Sequence, residues 1–307
     1  MAMDPTETDP WAAWLLTHRH GGNEDARRKT IEHLTPVRDK VLANAHLERG
    51  ETLLDVGCGD GLIGFGALDK VGADGKVIFS DISQPLLDVC TEIATSLGTL
   101  GQCEFLRAEA TDLSQIPDDS LDAVTTRSVL IYVKEKQRAF QEFFRVLKKG
   151  GRVSMFEPIA KTEREFVDRR YYLGYDVLPI KDLMQKIYDR YKNEKDAQST
   201  MGDFDERDLV KMLTQAGFGF VHLELDVTVG NAGMIGGEGR WEVFYNSAPN
   251  PLVPTLRTEV ESALSPAEQE RFIAHLKPLV EQNIGRTAQC LAYVTAVKED
   301  WGKLYSG

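Results

Sequence analysis

The stretch TLLDVGCGDGLIGFG, Thr52–Gly66, carries five glycines in fifteen residues. Two ligand-binding patterns overlap in it. Gly59, Gly61 and Gly64 spell G-x-G-x-x-G, the dinucleotide fingerprint. Asp55, Gly57, Gly59 and Gly61 spell acid-x-G-x-G-x-G, which suits a different ligand. TLLDV reads as a short apolar strand and LIGFGALDKV as a helix ending before Gly72, so the glycines form a strand-to-helix turn.

Outward from that turn the alternation continues. KVIFSD is a second strand, and PLLDVCTEIATSL is a helix with Pro85 in its first turn and Leu86, Cys90, Ile93 and Leu97 on one face. CEFLRA and LDAVTTR are the third and fourth strands. KQRAFQEFFRVLKKGG reads as a helix with Phe140, Phe143, Phe144 and Leu147 inward and a Lys-Lys-Gly-Gly stop, and RVSMFEP as strand five. After a lapse, ERDLVKMLTQAGF is a helix, and FVHLELDVTV and AQCLAYVTAVK complete seven strands. Such alternation predicts an α/β fold with a doubly wound, Rossmann-like parallel sheet. Its ligand crevice lies at the carboxyl ends of the strands. Residues 51–160, 201–230 and 287–300 supply this core. Residues 1–50 read as an N-terminal helical cover, with a break at Gly21 and Gly22. Residues 161–200, which read as helical and amphipathic, and 231–286 are insertions without a sheet of their own, expected to cover the substrate as an elaborated lid on one domain.

The composition bounds the partners. Charged residues are 27% and hydrophobic ones 42%, an ordinary globular balance. With 36 basic against 48 acidic residues the net charge is −12, which opposes nucleic acid and anionic membrane as partners. Cys58, Cys90, Cys103 and Cys290 are widely spaced, with no zinc-like cluster, so no metal site is expected and the thiols read as buried in a reducing compartment. MAMDPTETDPW has neither a basic nor an apolar signal region, and no apolar run approaches the roughly 18 residues of a span. A cytoplasmic protein is the expectation; oligomeric state stays open.

Charge decides between the two patterns. A dinucleotide sets its pyrophosphate against the loop and the following helix N-terminus. Here the loop holds Asp55 and Asp60, and no Lys or Arg lies between Gly50 and Asp69. At about 4 to 6 Å and an effective dielectric near 20, each carboxylate would cost a pyrophosphate a few kcal/mol. The same charges suit S-adenosylmethionine, whose methionine end carries an ammonium and a sulfonium. Register agrees: a dinucleotide fingerprint beginning at Gly57 would need a small residue where Leu62 stands, and the Gly59 match starts two residues too far into the helix.

From Glu51 to Phe156 the chain resembles the class I S-adenosylmethionine-dependent methyltransferases, of the small-molecule kind typified by the ubiquinone-biosynthesis enzymes. LLDVGCGDG resembles the first motif of that family and VIFSDIS the second; FLRAEATDL resembles the adenine segment, with Glu109 where aspartate is usual. SLDAVTTRSVLIYV and AFQEFFRVLKKGGRV resemble the rest of its core, about a third of the chain. The resemblance implies a seven-stranded methyltransferase sheet and S-adenosylmethionine as cofactor. It implies a cofactor site of Asp55, Gly57, Cys58, Gly59, Asp81, Ile82, Glu109, Ala110, Thr111 and Arg127. Asp81, twenty residues past Gly61, stands where an acid clasps both ribose hydroxyls. Ile82 offers adenine an apolar face, and Glu109–Thr111 close the adenine end. Arg127 either holds the methionine carboxylate or forms an ion pair.

Methyl transfer is an in-line displacement that needs alignment, desolvation and in some cases a base. Candidates for such roles are His20, beside His18 before the Gly-Gly break; Glu157 at the end of strand five, to orient a cationic or hydroxylated substrate; and Tyr172 in RRYYLGYD. Solvated histidines, an ion-paired Glu157 and packed tyrosines are the structural alternatives, and Arg240 and Trp241 are pocket or surface-loop candidates. The place after strand four reads TTRSVL, without the segment of nucleobase amino-methyltransferases, and no cysteine triad supports arsenite. The leading reading is methylation of O, N or C of a small organic molecule, with secondary metabolism as one setting. Cyclisation or aminocarboxypropyl transfer with the same cofactor, and a non-catalytic binding module, are the alternatives.

Overall fold

The computed structural model describes residues 9–19, 23–168, 170–197, 199–231, 240–248 and 250–299. In chain order its helices are α1 (Pro10–Ala13), α2 (Glu24–Asn44), α3 (Leu62–Val71), α4 (Gln84–Ser96), α5 (Lys136–Val146), α6 (Ala160–Phe166), α7 (Lys181–Ala197), α8 (Glu206–Ala216), α9 (Arg240–Asn246), α10 (Leu256–Ala263) and α11 (Pro266–Glu281). Its strands are β1 (Thr52–Val56), β2 (Lys76–Asp81), β3 (Cys103–Arg107), β4 (Leu121–Arg127), β5 (Leu147–Pro158), β6 (Tyr171–Tyr172), β7 (Tyr175–Asp176), β8 (Phe220–Gly230) and β9 (Thr287–Val297).

Short apolar runs such as TLLDV become interior strands because both their faces find cover: Leu53, Leu54 and Val56 are all buried. The seven-stranded sheet has the order β3-β2-β1-β4-β5-β9-β8. β1 pairs in parallel with β2 and β4, β2 with β3, and β4 with β5. One strand departs from the expected all-parallel sheet. β9 runs antiparallel to β5, with Leu291 opposite Pro158 and Val297 opposite Arg152. The chain re-enters at the carboxyl end of β5, so β9 has to run back along it.

The described residues fall into two compact units. The sheet unit draws on Leu34–Ile159, Phe204–Asp226 and Leu291–Gly307. In its core Val37, Val41 and Leu42 of α2, Ile63 and Ala67 of α3, and Leu87 and Cys90 of α4 pack with Leu53, Val77, Phe79 and Ala123 of the strands. The second half of α2 therefore belongs to this core rather than to a separate cover. Gly64 lets α3 approach β2: a Cβ there would lie 2.2 Å from the Phe79 ring. Phe140 and Phe143 of α5 are fully buried, as expected. The α5 helix stops at Val146, and the Lys-Lys-Gly-Gly segment opens β5 instead of closing the helix. Leu97, expected on the inner face of α4, is exposed one residue past that helix. The β3-to-β4 crossover contains no helix; Glu142 accepts the Leu113 N–H at 2.9 Å, and Arg145 donates to the carbonyls of Leu113 and Ile116 and to Asp118.

The helical unit draws on Met1–His33, Ala160–Asp203 and Val227–Cys290. It has its own core, in which Ile180, Leu183 and Ile187 meet Trp241, Phe244, Val260, Phe272 and Leu276. The RRYYLGYD segment, expected as helix, makes the β6–β7 hairpin, with Tyr172 opposite Tyr175 and Leu173 and Gly174 both at positive φ. No helix among the described residues is long and apolar enough to cross a membrane.

Candidate active site

The glycine turn is built from both sides. Gly57 sits at φ 63° and Gly59 at φ 57°, a left-handed region that side chains resist. A Cβ on Gly57 would lie 2.4 Å from a Val129 methyl, so glycine here admits a neighbour as well as a turn. The Cys58 N–H bonds the Ser80 carbonyl at 2.9 Å, tying the turn to β2. At the end of β2, Asp81 accepts the Gly59 N–H through Oδ2 and the Ser83 N–H through Oδ1, both at 2.9 Å. Ile82, the next residue, is 42% exposed, an apolar side chain left open at the end of β2. The Ala108 N–H bonds the Asp81 carbonyl at 3.1 Å, which brings the turn of Glu109, Ala110 and Thr111 beside the β2 end; Glu109 and Asp112 form a bridge there. Arg127 ends β4, half-buried, within electrostatic reach of Asp55.

Asp55 serves the turn rather than facing out of it. It is 1% exposed; Oδ2 accepts the Gly64 N–H at 3.0 Å and Oδ1 the Thr125 hydroxyl at 3.0 Å. Burial pushes its carboxyl up to about 7, against those two bonds and the Arg127 charge. A group half-protonated near neutrality repels an anion less than a full carboxylate, which weakens the sequence expectation at Asp55. Cys58 is buried beside Cys90, and both thiols approach the Gly59 carbonyl, at 3.8 and 3.4 Å. The neighbouring Cys90 and burial push the Cys58 thiol up, so it is a packing group and not a nucleophile.

The three catalytic candidates part company. His20 lies outside the described residues, as do Gly21 and Gly22. Tyr172 belongs to the helical unit, where its hydroxyl donates to Glu259 at 3.3 Å. Burial and the Glu259 carboxylate push that phenol far up, so it acts as a donor and not as a base. Glu157 belongs to the sheet unit and is wholly buried. Its Oε1 accepts the N–H groups of Val129 and Leu130 at 2.9 Å each, and Oε2 that of Ile131 at 3.3 Å. The carboxylate, expected from the sequence to orient a substrate, is instead engaged by three backbone N–H groups with no exposed surface. Val129, Thr125 and Ser83 complete the site's framework, and none carries a motif that would have flagged it. Of the further pocket candidates, Trp241 is packed in the helical core, stacked on Tyr245 with ring centres 4.8 Å apart.

A seven-stranded sheet with β9 antiparallel beside β5, a glycine turn after β1 and an acid at the end of β2 together match the Rossmann-like fold of methyltransferases. Structural comparison agrees on the fold. A putative methyltransferase from Bacillus halodurans superposes with a TM-score of 0.54 at 18% identity, covering 86% of this chain and 99% of its own. The YcgJ protein of a Bacillus species gives 0.53 at 17%, covering 87% and 99%. The profile of the ubiE/COQ5 methyltransferase family matches residues 32–235, and the chain belongs to that family. Among curated relatives, the ubiquinone/menaquinone biosynthesis C-methyltransferase UbiE of Francisella tularensis subsp. novicida is 32% identical over 154 residues, 50% of this chain and 54% of that protein. The protein of the same name from Salmonella paratyphi B is 33% identical over 174 residues, 56% and 68% of the two chains. The chain thus spans about half the length of the first of these relatives.

Proposed function

We propose that this protein transfers a methyl group from S-adenosylmethionine to O, N or C of a small organic molecule. The observation that carries the reading is the junction of the glycine turn with Asp81: a carboxylate fixed by the Gly59 and Ser83 N–H groups, next to an exposed isoleucine. In this reading Asp81, at the end of β2, accepts the ribose hydroxyls, as an acid at that strand end can. Gly57–Gly59, Ile82 and Glu109–Thr111 would hold the remainder of the cofactor, with Arg127 toward its methionine end. The bound cofactor supplies an activated methyl group; the protein has to align the acceptor and exclude water. Family membership supports the same chemistry. The net charge of −12 favours a small neutral or cationic acceptor over nucleic acid. Substrate choice is assigned to segments outside the sheet core, within residues 1–33, 161–200 and 231–286.

Titration calorimetry tests the cofactor: S-adenosylhomocysteine is expected to bind and NAD(H) not to. Stabilisation by NAD without any by S-adenosylhomocysteine reverses the assignment. Product analysis on a panel of small acceptors then tests the reaction. S-adenosylhomocysteine is expected, and methylthioadenosine in its place would replace methyl transfer by aminocarboxypropyl chemistry.

A further inference from the structure

We propose that Glu157 is a positioning residue that sets cofactor affinity by holding the segment after β4 against the glycine turn. The inference rests on the cofactor reading above and extends it to a residue with no access to ligand. Ser128 and Val129 have no regular structure to fix them where the chain leaves β4. Ser128 stands at φ 56°, an αL conformation that costs a non-glycine residue about 1 kcal/mol or more and persists only where neighbours enforce it. Two sets of bonds enforce it here. The Ser128 N–H donates to the Phe156 carbonyl at 2.8 Å, which carries the β4–β5 pairing one residue past Arg127. The next three N–H groups, of Val129, Leu130 and Ile131, all converge on the Glu157 carboxylate. They belong to the first turn of a short 3-10 segment, Leu130–Tyr132, and its approach, where no earlier carbonyl is in place to accept them.

The chemistry of the side chain matters. A carboxylate only accepts, and three donors face it; an amide would set a donor against an N–H. Lys136 adds a favourable charge, and its Nζ is itself held by the Val133 carbonyl at 2.8 Å. The consequence reaches the cofactor loop through one contact. With Val129 so held, its methyls occupy the space where Gly57 lacks a Cβ. The glycine turn is thereby backed from the β4 side by a side chain whose own position depends on Glu157. Burial pushes the Glu157 carboxyl up to about 7, the desolvation cost of keeping an acceptor at this point in the core.

The test measures S-adenosylhomocysteine affinity by calorimetry on the full chain, for wild type, Glu157→Gln, Val129→Ala and the double variant. Wild type is expected to bind; its failure to do so would overturn the cofactor reading itself. Each single variant is expected to bind about tenfold more weakly. The double variant is expected to be about as weak as the weaker single one, because the two residues act in series. A fully folded Glu157→Gln or Val129→Ala that binds as wild type does overturns the proposal, as does a double variant in which the losses multiply. Should Glu157→Gln not fold, Val129→Ala, a trimming at a half-buried position, decides alone. Phe143→Leu, in the α5 core, separates positioning from general loss of stability. It is expected to lower the melting temperature and leave affinity unchanged; an equal loss of affinity there would refute a specific role for Glu157.

Discussion

At the residue scale, Asp81 and Tyr172 give opposite expectations for substitutions at two polar side chains. Asp81→Ala removes an acceptor from the mouth of the site and a brace from the glycine turn. It should weaken S-adenosylhomocysteine binding by about 1.5 to 3 kcal/mol, the range for hydrogen bonds to a charged group. Unchanged affinity in calorimetry would separate Asp81 from the ribose. Tyr172 donates to a buried Glu259 and stays protonated across any working pH. Tyr172→Phe should therefore lower the melting temperature through the loss at Glu259 and leave the shape of the pH–rate profile unaltered. A profile that loses its basic limb would restore Tyr172 as a proton-transfer group.

At the scale of elements, the helix-free β3-to-β4 crossover is organised from α5. Arg145 reaches two of its carbonyls and Asp118, and pairs with Glu142, whose side chain is 8% exposed. Arg145→Met would leave that carboxylate buried without its main partner, a loss of about 3 kcal/mol. Glu142→Gln with Arg145→Met should lose less than the two changes separately, and denaturant melts of the four proteins measure it. These elements also show what a sequence discloses. The strands and α3, α4 and α8 were legible because apolar period and turn residues agreed along each. The glycine turn and the acid closing β2 were legible because a tight strand-to-helix turn needs glycine at fixed spacing and the strand end was marked by its apolar run. The framework around them was not. Val129, Thr125 and Ser83 act through pairings between strands and turns far apart in sequence, and any small or branched residue looks the same in a string of letters. Glu157 showed its type and its strand end, but not the direction of its carboxylate. RRYYLGYD was misread because tyrosines and arginines fit a helix face, while its Leu-Gly turn, at positive φ, has an uncommon first residue.

At the scale of the molecule, two buried carboxyls shape stability against pH. Asp55 and Glu157 ionise near 7 in the folded protein and near their ordinary 3.8 and 4.5 when unfolded. The folded state thus holds more protons between about pH 4 and 7. Their contribution is complete below the unfolded values and is lost as pH rises toward 7, roughly 4 kcal/mol for Asp55 and 3 kcal/mol for Glu157. Groups held low by partners act the other way. Glu142 beside Arg145, Asp176 beside Arg170 and Asp182 beside Arg271 contribute above their ordinary range and lose that as pH falls through their depressed values. The melting temperature should therefore rise from pH 8 toward 5 and fall steeply below 4, and Glu157→Gln should flatten the first limb. A steady decline from pH 8 downward would contradict both assignments.

The interleaving of the two units bears on how the chain comes to be folded at all. Both are assembled from three separated stretches, and β9, the last strand made, lies between β5 and β8. During synthesis β5 emerges long before its partner, so its outer edge stays open while the intervening helices are translated. Contacts of such long sequence separation close slowly, and an open strand edge is a template for pairing with another chain. The nascent protein should accordingly depend on chaperones more than its ordinary composition suggests. A chain interrupted ahead of Thr287 should accumulate as insoluble material, even though all the residues named in and around the glycine turn are already present in it.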